Sequence, residues 1–196
     1  EAALALCLRV AGAVDRAGAD AHEAALARVA TAIGKYWLCR RAPAFVNEAQ
    51  ECLGGAGYVE ESILPRLFRQ SPLNGIWEGS GNIQCLDVLR ALARDAATAA
   101  ALRAELESAR GLQRDFDRQL APLLAQLDAA GGVAEAGARS FTERLALLLQ
   151  AAVLLHAGSP AADLFCASRL GGAHGLAMGT LPADADFAAL LRRGLR

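Results

Sequence analysis

Between Leu26 and Trp37 the apolar residues Leu26, Val29, Ala30, Ile33 and Trp37 recur every three or four positions. That spacing gathers them on one side of an α-helix but scatters them over both faces of a strand. The pattern returns in Ile83, Leu86, Leu89 and Leu92, and again in Leu145, Leu148, Leu149, Ala152 and Leu155. No run combines Val, Ile and Thr enrichment with two-residue alternation, which a strand would require. Ala, Leu, Arg and Glu fill the long stretches, and all four are strong helix formers. The chain is 54% hydrophobic but only 5% aromatic, so aliphatic side chains must supply the core. These features predict an all-α protein. Its 196 residues suffice for one domain with a real core or for two small ones.

The breaks divide this pattern into helices. The first covers 2–17, with Leu4, Leu8 and Ala11 on one stripe. Asp20 is placed to cap a second helix, with Glu23 in its first turn, that ends or kinks before Pro43. A third helix should face Phe45, Val46, Ala49 and Cys52 inward until Gly54-Gly55-Ala56-Gly57 stops it. Ser62 is placed to cap a short helix with Pro65 in its first turn, and Ser71–Gly75 reads as a loop. Ser80 or Asn82 then caps a long helix, and a domain boundary is expected near 93–97, separating 1–93 from 94–196. Beyond it the pattern predicts a helix over about 98–130, broken at Gly111 and bent at Pro122. After Gly131-Gly132 comes a helix near 135–156, then one from Ser159-Pro160 to Gly171-Gly172. A last helix near 184–193 closes with Arg192, Arg193 and Arg196. No segment repeats at a fixed period, which excludes a solenoid.

A net charge of −1 gives no global pull toward nucleic acid or anionic lipid. Lys35 is the only lysine among 20 basic residues; the rest are arginines. The five cysteines, at 7, 39, 52, 85 and 166, show neither CxxC nor metal-ligand spacing, so reduced thiols and no metal site are expected. No apolar run approaches the roughly 18 residues of a membrane span, and a cytoplasmic location is expected. The chain opens in full helical pattern without a starting Met or a cap, which suggests a segment of a longer protein.

Two stretches carry candidate chemistry. In Glu51-Cys52-Leu53-Gly54-Gly55-Ala56-Gly57-Tyr58 three glycines in four positions permit positive φ and close approach of backbone to a flat or charged group. The same residues also suit a helix C-cap and tight turn. A dinucleotide-binding fingerprint is excluded, because no strand precedes the glycines. In Gly75-Ile76-Trp77-Glu78-Gly79-Ser80-Gly81-Asn82 a carboxylate stands between an indole and small residues. Glu78 reads as an acid stabilised at a helix start. The alternative is a general base beside an apolar wall at Trp77, where burial raises a carboxylate's pKa. Arg110, Arg114 and Arg118 repel at four-residue spacing, and Asp115 and Asp117 offset them on what reads as a solvated helix face. His22, His156 and His174 are isolated in sequence, and no Ser/His/Asp or Cys/His order suggests itself.

Taken together, residues 51–92 resemble the signature region of the acyl-CoA dehydrogenase superfamily, in which a GGxGY turn precedes an acid-Gly-Ser/Thr stretch by about twenty residues. Glu60-Glu61-Ser62, Leu64-Pro65-Arg66-Leu67, Ile76 to Ile83 and Cys85 to Arg90 look like its AidB-type, alkylation-response branch. Phe116-Asp117-Arg118 and Arg169-Leu170-Gly171-Gly172 are similar to that branch's extra C-terminal domain. The resemblance implies a C-terminal helical-bundle segment followed by a second helical domain. It implies that Glu78 is the base that takes the proton α to a thioester carbonyl while a hydride passes to FAD. Gly54 and Gly55 would touch that FAD, with Ser80 and Asn82 near its adenine end. Arg90 and Arg169 match arginines proposed to contact double-stranded DNA. The implied whole is a homotetramer that acts on acyl-CoA or an alkylating small molecule, or that protects DNA with a largely vestigial dehydrogenase site. Glu51 stands where typical dehydrogenases have Gln, and Ser80-Gly81 where they have Thr-Ser, departures the AidB-type branch shares. The family's N-terminal helical and middle β domains lie outside this sequence, so the segment alone is not expected to hold FAD or turn over substrate.

Overall fold

Asp20 starts the longest described helix. Its carboxylate accepts the backbone N–H groups of His22 at 2.8 Å and Glu23 at 3.3 Å, two donors that a helix start leaves unpaired. A computed structural model describes residues 1–129 and 132–194, and among these every regular element is helical. Gly131 and Arg196 lie outside the described residues, as does the side chain of Arg193.

Helix α1 spans Ala2–Arg16 and α2 spans Ala21–Cys52. The helix end expected before Pro43 is absent: α2 continues past it and is 32 residues long. Proline removes one helix donor at a cost of about 3 kcal/mol. Here packing along that part of α2 offsets it, because α3 (Gly55–Tyr58), α4 (Leu64–Gln70) and the 3-10 turn Ser71–Gly75 all lie against α2. The turn Ser71–Gly75 was expected as a loop. Ser62 does not cap α4: Ile63 precedes it without a side-chain bond, and the buried Ser62 hydroxyl has no partner among the described residues.

Helix α5 spans Gly81–Arg94 and α6 spans Ala96–Glu107. Asp95 separates them in extended backbone and accepts the Ala97 N–H at 2.9 Å and the Thr98 hydroxyl at 2.6 Å. The break expected at Gly111 is present, and it divides the stretch 98–130 between α6 and α7 (Arg114–Asp128). Gly111 at φ 83° turns the chain, and the Gln113 side chain caps α7 by accepting from Asp115 and Phe116. Helices α8 (Ala138–His156) and α9 (Ala162–Phe165) follow; α9 runs into a π-turn, Cys166–Leu170, and α10 covers Phe187–Gly194.

The central element is α8, where Leu148 through Ala152 are all buried, so neighbours surround it on every side. Around it one core draws Leu6 from α1, Leu26, Val29 and Ile33 from α2, Val88 from α5, Leu102 and Leu106 from α6, and Phe116 and Leu120 from α7. That core joins residues from both sides of position 93. Three expected stripes are displaced, one of them the inward set Phe45, Val46, Ala49 and Cys52, of which Phe45 is 69% exposed and Cys52 is exposed. On α1, Leu6 and Ala13 are buried, while Leu4 and Leu8 are each 64% exposed. On α5, Cys85, Val88 and Ala91 are buried, Leu86, Leu89 and Leu92 are half-buried, and Ile83 is exposed. Charge ties three helices together: Arg9 bonds Glu23 at 2.8 Å and Glu105 at 2.7 Å, linking α1, α2 and α6. Among the described residues no helix is long and apolar enough to cross a membrane.

Candidate active-site loop

The chain between the Ser71–Gly75 turn and α5 carries the acid singled out above. Glu78 has φ 52°, and among the described residues it is the single non-glycine residue with positive φ. Such a conformation costs about 1–3 kcal/mol and persists only where the surroundings impose it. Here they are visible. The Lys35 ammonium, reaching from α2, donates to the carbonyls of Trp77 at 2.8 Å, Gly79 at 2.9 Å and Asn74 at 3.3 Å. Gln84, one turn into α5, donates through Nε2 to the carbonyl of Glu78 at 3.0 Å. Hydrogen bonds from a charged donor contribute about 1.5–3 kcal/mol each. Two of them therefore exceed the backbone strain at Glu78.

The apolar wall expected around Glu78 is not built by this chain. Glu78 is exposed, and Trp77 is 53% exposed. The carboxylate projects from a rigid loop rather than from a pocket. Ser80 precedes α5 in extended backbone but makes no side-chain cap bond, and Asn82 is drawn the other way, its Oδ1 accepting from Arg139 at 2.6 Å. Behind the loop lies a cavity of about 330 Å³, lined by Lys35, Tyr36, Cys39, Arg40, Asn82 and Arg139 among others. Burial pushes the Cys39 thiol and the Tyr36 phenol up.

The three glycines of the earlier turn do different jobs. A Cβ on Gly57 would fall 2.3 Å from the Gln50 carbonyl oxygen, so that position must be bare for α3 to lie against α2. The buried Gln50 side chain fastens the same contact by donating to the Gly57 carbonyl at 3.1 Å. At Gly54, φ 59°, and at Gly55 a Cβ would meet nothing within 4 Å. These two glycines present naked backbone to open space. Of the predicted residues, Glu78, Ser80 and Asn82 share one loop and helix start; Gly54 and Gly55 stand on the separate α2–α3 turn.

Arg90 and Arg169 have different neighbours. Arg90 is exposed on α5, beside a groove lined by Leu86, Leu89, Leu127 and Phe141. Arg169 is half-buried in the π-turn, and its pKa is lowered, first by burial and then by repulsion from Arg41. Arg41 itself stacks over Trp37, 5.4 Å from the ring centre. Asp115 pairs with Arg118 at 2.9 Å, and Asp117 accepts the Gly111 N–H at 2.9 Å, so this cluster stabilises the start of α7. Lys35 and Gln84 were missed as functional residues. The one available signal was that Lys35 is the sole lysine in a chain otherwise committed to arginine.

Residues 1–93 match the family "Acyl-CoA dehydrogenase, C-terminal domain". The "Putative acyl-CoA dehydrogenase AidB" of Escherichia coli (strain K12) is 46% identical over 167 residues, which is 85% of this chain and 30% of that protein. "Acyl-CoA dehydrogenase family member 11" of Caenorhabditis elegans is 43% identical over 68 residues, 35% of this chain and 11% of its own length. The structure of Caenorhabditis elegans ACDH-11 in complex with C11-CoA has the same fold, with a TM-score of 0.72 at 24% identity over 86% of this chain and 34% of that one. The chain thus spans less than a third of the length of these curated relatives. With the all-helical fold and the match over residues 1–93, that part of the chain belongs to the acyl-CoA dehydrogenase family as its C-terminal domain, and the 46% identity to AidB extends beyond it.

Proposed function

We propose that this chain is the base-bearing part of an FAD-dependent, acyl-CoA dehydrogenase-like oxidoreductase of the alkylation-response type. The observation that carries this reading is the strained, exposed and doubly tied conformation of Glu78. A helix-start acid needs no positive φ, whereas a carboxylate that must face a substrate gains from being fixed. Glu78 takes the proton α to a thioester carbonyl: the Cα–H bond breaks, the proton goes to the carboxylate, and the electron pair forms the second Cα–Cβ bond. FAD, when bound, would accept the hydride that leaves Cβ. The bare backbone at Gly54 and Gly55 suits a flat ring, and in this reading Ser80 and Asn82 hold the other end of the same cofactor. Ile76 and Trp77, both exposed, offer apolar surface to an acyl chain or another alkyl-bearing small molecule beside the base. Residues 1–93 form the dehydrogenase segment and 94–196 the additional helical unit. The exposed Leu4, Leu8 and Val14 on α1 suit a homotetramer, and five free thiols suit the cytoplasm.

The test is the absorbance of the native protein's flavin, recorded anaerobically before and after adding a panel of acyl-CoAs. Bleaching is expected, and Glu78→Gln should slow it about 10²–10⁴-fold. No bleaching by any thioester overturns the reading.

A second reading rests on Arg169. Among the described residues no acceptor meets its half-buried guanidinium, and a second cation, Arg41, stands near it. An anion there would relieve both the burial and the repulsion. On this reading Arg169 and the exposed Arg90 bind phosphates of double-stranded DNA, and the protein protects DNA with a dehydrogenase site that is largely vestigial. Arg169→Ala should then weaken duplex binding across sequences and lower the salt slope by about one. Binding that ignores salt would refute it.

A further inference from the structure

We infer that Lys35 is the positioning residue for Glu78, a role that rests on Glu78 acting as the base. An ammonium group has three N–H donors, and all three are accounted for: the carbonyls of Asn74, Trp77 and Gly79. Two of these carbonyls flank Glu78 directly, one on each side. No carboxylate pairs with Lys35 among the described residues; its charge is directed entirely at backbone dipoles of one loop.

The origin of the lysine is as fixed as its target. Ile33, Gly34 and Tyr36 on α2 are buried, so Cα of residue 35 is held by the core. The ammonium then transmits the position of that core to the loop. Without it, the Trp77 carbonyl would lose its donor, and the Gly79 carbonyl would keep only the long 3.4 Å contact from Gln84. Only the Gln84 bond to the Glu78 carbonyl, at 3.0 Å, would then oppose relaxation of Glu78 from φ 52° to an ordinary negative value, which would redirect its carboxylate. Arginine cannot replace this function in full. Its planar fork presents donors side by side and in one plane, whereas these three acceptors converge on a single nitrogen. That geometry accounts for a lone lysine in a chain whose other 19 cations are arginine.

The test compares native protein, Lys35→Met, Lys35→Arg and Glu78→Gln by two measurements. The first is amide hydrogen exchange at Ile76 and Trp77, whose N–H groups both donate to the Leu73 carbonyl within the clasped loop. Lys35→Met should speed exchange there by about tenfold or more, as loss of charge-assisted bonds implies, and leave α8 unchanged. Lys35→Arg should fall between. The second is α-proton exchange of C11-CoA into D₂O, in which Lys35→Met should lower the turnover rate by up to about 10²-fold, as misplacement of a reacting group by an ångström does, at unchanged KM. Unchanged exchange at Ile76 and Trp77, or an equal rise along all of α2 and α8, overturns the inference, since the lysine would then either not hold the loop or merely stabilise the fold. If Glu78→Gln leaves α-proton exchange intact while Lys35→Met still frees the loop, the base assignment fails and the clasp stands.

Discussion

Along α2, Leu26, Val29 and Ile33 are at most 1% exposed, whereas Phe45, on the same helix, is 69% exposed. The first half of this helix is held by α1, α5, α6 and α8; the second half carries α3, α4 and the turn that leads to Glu78. In the first region apolar side chains make the fold. In the second, glycines, carbonyls and one ammonium make it, and Tyr58, Ile63, Ile76 and Trp77 stay open. The difference teaches that apolar content alone does not mark the core of this chain. The site has been built where backbone polar groups, rather than side-chain packing, decide the geometry.

That contrast can be broken most decisively by truncating one phenylalanine from each region. Phe116 is fully buried on α7, and Phe116→Ala should cost about 3–5 kcal/mol through lost burial and the cavity left behind. Phe45→Ala should stay within about 0.5 kcal/mol, as exposed substitutions do. Urea unfolding of both variants checks this, and equal losses would mean that Phe45 is covered in solution.

Charge provides the next comparison. Arg9 holds Glu23 and Glu105 with side chains only 21%, 13% and 14% exposed, so Arg9→Met leaves Glu105 without its cation and Glu23 with the exposed Arg16 alone, at about 1.5–3 kcal/mol. The Arg9 hydrogen bond holds the Glu23 carboxyl below its ordinary value of 4.5. A depressed carboxylate adds stability above its unfolded pKa and loses it as pH falls through the folded one. The gap between native protein and Arg9→Met should therefore be full at neutral pH and shrink below about pH 4.5. The exposed pair Arg69–Glu60, in the second region, should show no measurable gap at any pH in salt, because solvent and ions screen it.

What could be read from the sequence follows the same division. Helical spacing revealed the class of fold, the Asp20 cap, the core positions in the first half of α2 and most of those on α8, but it faced Phe45 and Cys52 inward where both are exposed. It displaced the stripes of α1 and α5, since leucines there face outward and smaller residues, Ala13, Cys85 and Ala91, face inward. Periodicity reports which face is apolar, and on a segment that shares apolar surface with something else the most apolar face need not be the inner one. Pro43 misled because the local donor loss is visible in sequence and the tertiary packing that offsets it is not. At the site, Glu78 and its glycines were legible as a motif. The Lys35 clasp was not, because it joins a side chain to carbonyls 39 to 44 positions away, and carbonyls have no sequence signature.

The finest cut between the regions separates two neighbouring glycines. Gly57→Ala would drive a Cβ to 2.3 Å from the Gln50 carbonyl oxygen and should cost about 1–3 kcal/mol as α3 is pushed off α2. Gly55 has no atom within 4 Å of where its Cβ would lie and no positive φ, so Gly55→Ala should leave stability unchanged or raise it by a few tenths of a kcal/mol. Flavin affinity should reverse that order. If the open face at Gly55 receives a flat ring, a methyl group there sits between ring and backbone and weakens binding, while Gly57, turned toward α2, leaves affinity nearly untouched wherever the variant still folds. Melting temperature and flavin retention, measured on both variants, thus give two opposite rankings. One common ranking would mean that the three glycines serve a single structural turn.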